Sequence, residues 1–254
     1  MKRIKETEEK LNSLFSSLGL KTGPIYCYDS VRSTMDVAFD MDEDDIKDKT
    51  IIIAQRQKRG RGRHGRKWYS AHGSLLFSLV LNQYDIRLPY SIIASFALYK
   101  TFNHHTQKVR LKWINDIMWE NGKKVAGILT EERLKRMVIG MGINLNDHSI
   151  PRQVEPVATS YYIETGERLD RDQFLVSIID EFLSLLTKTE KGSIEEILTA
   201  WENEAGIRNR SVRVIDGKRE IQGTALGIDK KTGALKIRIG KDQVEVYEGT
   251  LFYT

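Results

Sequence analysis

A run of glycines and basic residues in the first third of the chain has the strongest chemical character in the sequence. It reads Gly-Arg-Gly-Arg-His-Gly-Arg-Lys-Trp over residues 60–68. Glycines let the backbone turn sharply and approach a ligand closely, and Arg and Lys side chains pair with carboxylate and phosphate groups. Seven of the twelve residues from Arg56 to Lys67 are basic, and none is acidic. A segment of this kind is typical of an anion-binding site.

The excess positive charge of the protein is concentrated in this one segment. The 254 residues carry a formal net charge of +5, from 40 Lys and Arg against 35 Asp and Glu. Apart from the seven basic residues at positions 56–67, the chain has 33 basic and 35 acidic residues. Proteins that coat nucleic acids usually present a broad basic face. The local charge therefore favours a specific anion site.

Two familiar phosphate-binding motifs do not account for the segment. A nucleotide-binding P-loop needs Gly-Lys-Ser/Thr at the start of a helix, and a dinucleotide fingerprint also leads into a helix. Here the glycines lead through Trp68 to an apolar run at residues 75–81 that is typical of a strand. Three interpretations stay open on spacing alone: an anion cradle of backbone and Arg donors, an Arg/Gly-rich nucleic-acid segment, and a solvated loop.

Covalent catalysis has no candidate in the sequence. Cys27 is the only cysteine, so it can form neither an intrachain disulfide nor a thiolate zinc cluster, and its strand-like setting indicates a packing role. No Ser/His/Asp arrangement stands out, and Glu131-Glu132 resemble solvent-facing residues at the end of a strand. The chemistry that remains is positioning and charge stabilisation by Arg and Lys.

The basic segment is predicted to join two buried strands. Apolar runs at residues 51–55 and 75–81 have strand length and composition. Asn121-Gly122 is the strongest hairpin signal, and it is followed by a strand at residues 125–129. Further strands are predicted at residues 25–28, 109–113, 117–119 and 137–145, and helices at 6–20, from 33 onward, 91–105, 174–186 and 194–201.

The pattern changes after residue 206. From Arg208 onward short strands alternate with turns such as Asp216-Gly217 and Lys231-Thr232-Gly233, which predicts a small all-β barrel or sandwich. We therefore expect a catalytic domain at residues 1–206, with an N-terminal helical extension at 1–24, and a C-terminal barrel at 207–254. The N-terminus lacks the apolar core of a signal peptide, and no segment approaches membrane-spanning length. These features predict a soluble, cytoplasmic protein.

Five segments in order resemble the motifs of one enzyme family. They are Ser33-Thr34, Gln57 with the loop at residues 60–68, Lys112-Trp113-Ile114-Asn115-Asp116, Lys124-Val125-Ala126-Gly127-Ile128-Leu129 and Gly140-Met141-Gly142-Ile143-Asn144. Together they resemble a biotin–protein ligase of the short class, which lacks an N-terminal DNA-binding domain. The resemblance extends over about residues 25–254. It implies an α+β fold whose mixed sheet is like that of class II aminoacyl-tRNA synthetases, plus an SH3-like barrel.

The resemblance also implies a reaction in two steps. Biotin's carboxylate attacks the α-phosphorus of MgATP to give biotinyl-5′-AMP and pyrophosphate. A specific lysine of a biotin carboxyl carrier domain then attacks this mixed anhydride and releases AMP. The resemblance implies ATP and biotin as substrates, with Mg²⁺ held through the ATP phosphates, and it assigns no metal ligand of the protein. It implies no DNA partner and leaves homodimerisation open, and the lack of a spanning segment predicts no membrane partner.

The implied residue roles follow the motifs. Lys124, Arg61 and Arg63 would act on the reacting charges. The biotin contacts would be Ser33, Thr34, Met35, Gln57, Arg61, Gly62, Arg63, Lys124, Gly127 and Gly140. The ATP and adenylate contacts would be Arg61, Arg63, Trp68, Asn115, Asp116, Lys124 and Asn144.

Two positions depart from the family pattern, and two other functions stay as alternatives. Met35 stands where the family often has Asn, and Ile114 stands where proline is usual.

A lipoate–protein ligase would apply the same adenylation chemistry to a different acid. An RNA-binding protein would use the Arg/Gly loop without any such chemistry.

Overall fold

The computed structural model describes residues 1–254. Its helices are α1 (Lys5–Ser17), α2 (Thr34–Asp40), α3 (Tyr90–Asn103), α4 (Tyr161–Thr165), α5 (Arg171–Glu190) and α6 (Ile194–Ala205). Its strands are β1 (Ile25–Val31), β2 (Thr50–Gln57), β3 (Leu75–Leu81), β4 (Val109–Lys112), β5 (Asp116–Trp119), β6 (Lys124–Arg133), β7 (Arg136–Ile143), β8 (Ser211–Asp216), β9 (Arg219–Ile228), β10 (Leu235–Ile239), β11 (Asp242–Val246) and β12 (Thr250–Tyr253).

The chain forms two compact units. The first comprises residues 1–85 and 118–180, and the second comprises residues 86–117 and 181–254. None of the helices has the length and apolar character that spanning a membrane requires. The predicted domain division at residues 206 and 207 stays a prediction.

The first unit is built on a mixed sheet. Its strands run in the order β1-β2-β3-β7-β6, where β1 and β2 are parallel and the other neighbours are antiparallel. Every side chain of β3 is buried, which explains its nearly unbroken apolar sequence Leu-Leu-Phe-Ser-Leu-Val-Leu. A strand covered on both faces loses the alternation of polar and apolar residues. The expected mixed sheet with helices is confirmed.

The N-terminal segment lies along the outer edge of this sheet. The backbone N–H of Ile4 donates to the carbonyl of Cys27, and that of Asp29 donates to the carbonyl of Lys2. Arg3 donates through Nε and Nη2 to both carboxylate oxygens of Glu8, at 2.8 and 2.7 Å. Glu8 also accepts from the backbone of Cys27 at 3.0 Å. The first residues therefore fix α1 against β1.

The second unit contains a five-stranded antiparallel sheet in the order β11-β10-β9-β8-β12. This sheet confirms the predicted all-β C-terminal region. The unit also includes α3 and α6, which are linked by a hydrogen bond of 3.0 Å from the indole N–H of Trp201 to Ser95. Glu202 on α6 is 3% exposed and accepts a hydrogen bond from the backbone of Ile228 at 2.5 Å. A buried carboxylate thus connects α6 to β9.

Candidate active site

The basic loop at residues 60–68 is closed by its own backbone. The N–H of Trp68 donates to the carbonyl of Gly60 at 2.9 Å, and the N–H of Gly62 donates to the carbonyl of Arg66 at 2.7 Å. A single 3₁₀ turn at Arg63–Gly65 forms the tip. A Cβ atom on Gly60 would lie 2.9 Å from the carbonyl oxygen of Trp68, so a side chain there would push the two ends apart. The loop is therefore a hairpin-like flap.

Arg61 in this loop is bound by two carboxylates. Its Nε and Nη2 atoms donate to the two oxygens of Glu131 at 2.9 and 3.0 Å, and Nη1 donates to Asp36. The hydrogen bonds with Glu131 raise the pKa of the Arg61 guanidinium, although burial opposes them. The same hydrogen bonds hold the pKa of Glu131 below its usual value.

The expectation that Glu131 and Glu132 face solvent is wrong for Glu131, which is half-buried, whereas Glu132 is exposed. Adjacent residues of a strand point to opposite faces of the sheet. Glu131 therefore turns towards the flap and pairs with Arg61, while Glu132 accepts from the hydroxyl of Tyr84 at 2.8 Å. A single acidic residue opposite a basic loop gives no clear signal in sequence, because the pairing spans seventy residues.

A polar network lies at the start of α2. Ser33 caps the helix, since its Oγ accepts from the backbone N–H of Met35 at 3.3 Å. The backbone N–H of Thr34 donates to Oε1 of Gln57 at 2.8 Å, and the hydroxyl of Thr34 lies 3.3 Å from the same oxygen. The structure thus brings Ser33, Thr34 and Gln57 together, and their contacts with biotin stay predictions.

Ser78 is a member of this network that sequence reasoning missed. Its hydroxyl donates to Oγ1 of Thr34 at 2.8 Å, and the residue is fully buried in the middle of β3. Buried polar side chains almost always have hydrogen-bond partners. The signal was available, because Ser78 is the one polar residue in an otherwise apolar run.

Three glycines on β6 and β7 form a surface without side chains, which we call the glycine floor (Gly127, Gly140 and Gly142). Gly127 and Gly142 face each other across the two strands, and Gly140 faces Ser78 on the other neighbour of β7. A Cβ on Gly142 would lie 2.5 Å from the indole ring of Trp68. The floor therefore admits groups that a side chain would exclude.

Side chains with predicted roles cover this floor. A Cβ on Gly127 would lie 2.6 Å from Nζ of Lys124, and one on Gly140 would lie 2.7 Å from the sulfur of Met35. The Lys124 ammonium lies 5.6 Å from the centre of the Trp68 ring. The indole N–H of Trp68 is buried and finds no acceptor among the protein's atoms. The structure thus brings Lys124 and Trp68 together at Gly127 and Gly142, and places Met35 at Gly140.

Asn144 holds the backbone beside Lys124. Its side-chain amide donates to the carbonyl of Thr159 at 2.9 Å, and its backbone N–H donates to the carbonyl of Val125 at 2.9 Å. The backbone of Lys124 in turn exchanges hydrogen bonds with Val157 and Thr159. Asn144 is therefore a structural connection in this geometry, and its contact with adenylate stays a prediction.

The remaining predicted residues have less defined geometry. Gly62 and Arg63 lie half-buried in the flap. Asn115 is buried and Asp116 begins β5, and both belong to the second unit. The roles of these four residues stay predictions.

Cys27 has no catalytic character. It is 2% exposed, and burial raises the pKa of its thiol to about 12. The thiolate is the reactive form of cysteine, and it is scarce at such a pKa. Cys27 is a packing residue, in line with its position in β1.

Comparison with known proteins places the chain in a family. Residues 27–146 match the model of the biotin/lipoate A/B protein ligase family, and residues 208–252 match that of the biotin protein ligase C-terminal domain. The chain is 30% identical over 267 residues to the bifunctional ligase/repressor BirA of Bacillus spizizenii, covering 98% of this chain and 81% of the relative. It is 31% identical over 201 residues to the biotin–[acetyl-CoA-carboxylase] ligase of Paracoccus denitrificans, covering 74% and 83%.

A solved structure has the same fold over most of its length. The biotin protein ligase of Aquifex aeolicus in complex with biotin and ATP superposes with a TM-score of 0.82 at 27% identity, covering 91% of this chain and 99% of that one. The mixed sheet, the glycine floor under a basic flap and these matches define a biotin/lipoate-type ligase fold. The chain belongs to this family, on its biotin protein ligase branch.

Proposed function

We propose that the protein activates biotin with ATP as biotinyl-5′-AMP and transfers the biotinyl group to a lysine of a biotin carboxyl carrier domain. The observation that carries the proposal is the glycine floor covered by Lys124, Trp68 and Met35, beside the polar network of Thr34. Family membership and the likeness to a ligase with bound biotin and ATP support the same function.

The polar network has the donors needed for a biotin ring. The hydroxyl of Ser33 accepts the cap bond from Met35 and keeps its O–H for an acceptor such as the ureido oxygen. Gln57 accepts from Thr34 through Oε1, so its NH₂ group faces other partners. We propose that these groups orient the ring, and that Ser78 fixes the Thr34 hydroxyl between them.

Activation joins two anions, and cations must compensate their repulsion. A carboxylate oxygen of biotin bonds to the α-phosphorus while pyrophosphate leaves with the electron pair of the broken P–O bond. Groups placed beforehand around developing charge lower the barrier of such a step. In the proposal Lys124 lies beside the carboxylate and α-phosphate, and Arg63 approaches from the flap. Mg²⁺, bound to the ATP phosphates, would neutralise part of their charge.

Transfer requires that the mixed anhydride be kept from water. The neutral amine of the acceptor lysine bonds to the acyl carbon and loses one proton, and AMP leaves with the electron pair of the acyl–phosphate bond. A loop that closes over a reactive intermediate limits its hydrolysis. We propose that the flap at residues 60–68, which includes Trp68, closes over the intermediate and keeps water away.

The experiment is ATP–pyrophosphate exchange with purified protein. Exchange that depends on biotin and not on lipoate, followed by transfer of labelled biotin to a carrier domain, is the expected result. Exchange with lipoate alone would favour a lipoate–protein ligase. Salt-sensitive binding of RNA without exchange would favour the RNA-binding alternative.

A further inference from the structure

Arg61 connects the three elements that carry the proposed ligand contacts. Arg61 itself belongs to the flap, Asp36 belongs to the first turn of α2, and Glu131 belongs to β6. Helix α2 begins with residues that we propose contact biotin, and β6 begins with Lys124. One guanidinium therefore links all three elements.

The guanidinium is largely committed to these protein carboxylates. Of the five N–H bonds of an Arg side chain, three donate to Glu131 and Asp36. The pairing with Glu131 is bidentate, which fixes the plane of the group as well as its position. Arg61 therefore holds the flap in place more than it acts as a free cation.

The acidic partners are themselves placed by further contacts. Nη2 of Arg133 lies 3.2 Å from Oε2 of Glu131, and Nη2 of Arg32 lies 3.5 Å from Oδ2 of Asp36. The side chains of Asp36 and Glu131 are 19% and 26% exposed, so water screens them only in part. Ion pairs with such partial burial and bidentate geometry contribute more to stability than exposed pairs do.

We propose that Glu131 and Asp36 are positioning residues that hold Arg61, and through it the flap, in register with α2 and Lys124. The inference rests on the proposed function for its effect on catalysis. Removing either negative charge leaves the guanidinium with one of its two carboxylates, so the flap can move more freely relative to the glycine floor. A flap that moves in this way retains biotin and ATP less tightly and lets water reach the intermediate.

The test compares Glu131→Gln with Glu132→Gln, its neighbour on the other face of the strand. Both changes remove one negative charge from β6, but only Glu131 contacts Arg61. We expect Glu131→Gln to raise the KM for biotin and ATP in the exchange reaction by about tenfold, with a smaller change in kcat. AMP release without a carrier domain should rise by a similar factor, because water reaches the adenylate. Glu132→Gln should match wild type.

A second readout is independent of activity. The flap is rich in Arg and Lys, so the rate of limited trypsin cleavage between residues 59 and 67 reports its mobility. Glu131→Gln and Asp36→Asn should each increase this rate severalfold, while the thermal unfolding midpoint stays near that of wild type. Equal cleavage rates in Glu131→Gln and Glu132→Gln would overturn the proposal, as would a loss of folding that accompanies every kinetic change.

The conservative variant Glu131→Asp separates charge from shape. It keeps the negative charge and should restore part of the protease resistance that Glu131→Gln loses. No recovery would count against an ion-pair fastening. If wild type shows no biotin-dependent exchange while Glu131→Gln still loosens the flap, the proposed function fails and the positioning role stands.

Discussion

Substituting Gly142 with Ala gives the sharpest prediction for the glycine floor. The new methyl carbon would lie 2.5, 2.7 and 2.8 Å from three atoms of the Trp68 indole. Non-bonded carbon atoms prefer separations of about 3.5–4.0 Å, so the ring has to retreat by roughly 1 Å. Gly142 has an ordinary strand conformation, and β7 itself can accept alanine. The strain therefore falls on the flap that carries Trp68.

The expected cost is set by overpacking. Forcing a methyl group into an occupied space costs about 1–3 kcal/mol. At about 1.4 kcal/mol per factor of ten, this is a loss of about 5- to 150-fold in kcat/KM for ATP. The free energy of unfolding should change less, because the half-buried indole can move away while the sheet keeps its hydrogen bonds.

The assay is ATP–pyrophosphate exchange, with urea unfolding measured on the same samples. A double-mutant cycle with Trp68→Ala provides the control, since the added methyl meets no indole in that background. We expect Gly142→Ala to be nearly neutral for unfolding in the Trp68→Ala protein. Wild-type exchange kinetics in Gly142→Ala, or an equal stability loss in both backgrounds, would refute the contact as the cause.

Three further predictions concern single side chains. Lys124→Ala should reduce biotin-dependent exchange by about a hundredfold or more with an unchanged thermal midpoint, whereas Lys123→Ala, one residue away, should leave exchange near wild type. Ser78→Ala should raise the KM for biotin and lower the free energy of unfolding by about 1 kcal/mol, because the Thr34 hydroxyl loses its buried donor. An unchanged KM would show that Ser78 does not position the groups that bind biotin. Cys27 should resist a thiol reagent at pH 8 in the native protein and react fully in urea, because burial raises its pKa to about 12; rapid native reaction would contradict its packing in β1.

The strands and the polar cap of α2 could be predicted because their causes are local. The run at residues 75–81 is a strand with the predicted bounds, since its composition and length suit a doubly covered strand. Asn121-Gly122 forms the predicted turn, where Gly122 has a φ of 81° that glycine adopts readily. The C-terminal strands follow the turn residues between them. Periodicity and turn chemistry were sufficient in these segments.

The partners of the flap could not be predicted, because they depend on register across the sheet. Whether Glu131 or Glu132 faces Arg61 is decided by which face of β6 is turned towards the flap, and a shift of one residue would exchange them. Asp36 reaches Arg61 only because the first turn of α2 lies beside the flap. Short α4 was also missed, since five residues carry too little periodicity. Contacts between segments that are distant in the chain therefore cannot be predicted from local sequence patterns.

The N-terminal segment along β1 has a consequence for how molecules of this protein can associate. An edge strand normally presents unpaired N–H and C=O groups, and these can pair with a strand of another molecule. Here the backbones of Lys2 and Ile4 already occupy such groups at Cys27 and Asp29. Continuous sheet growth from one molecule to the next is therefore blocked at this edge. A variant lacking the first four residues would uncover it, and would tend to self-associate through β1.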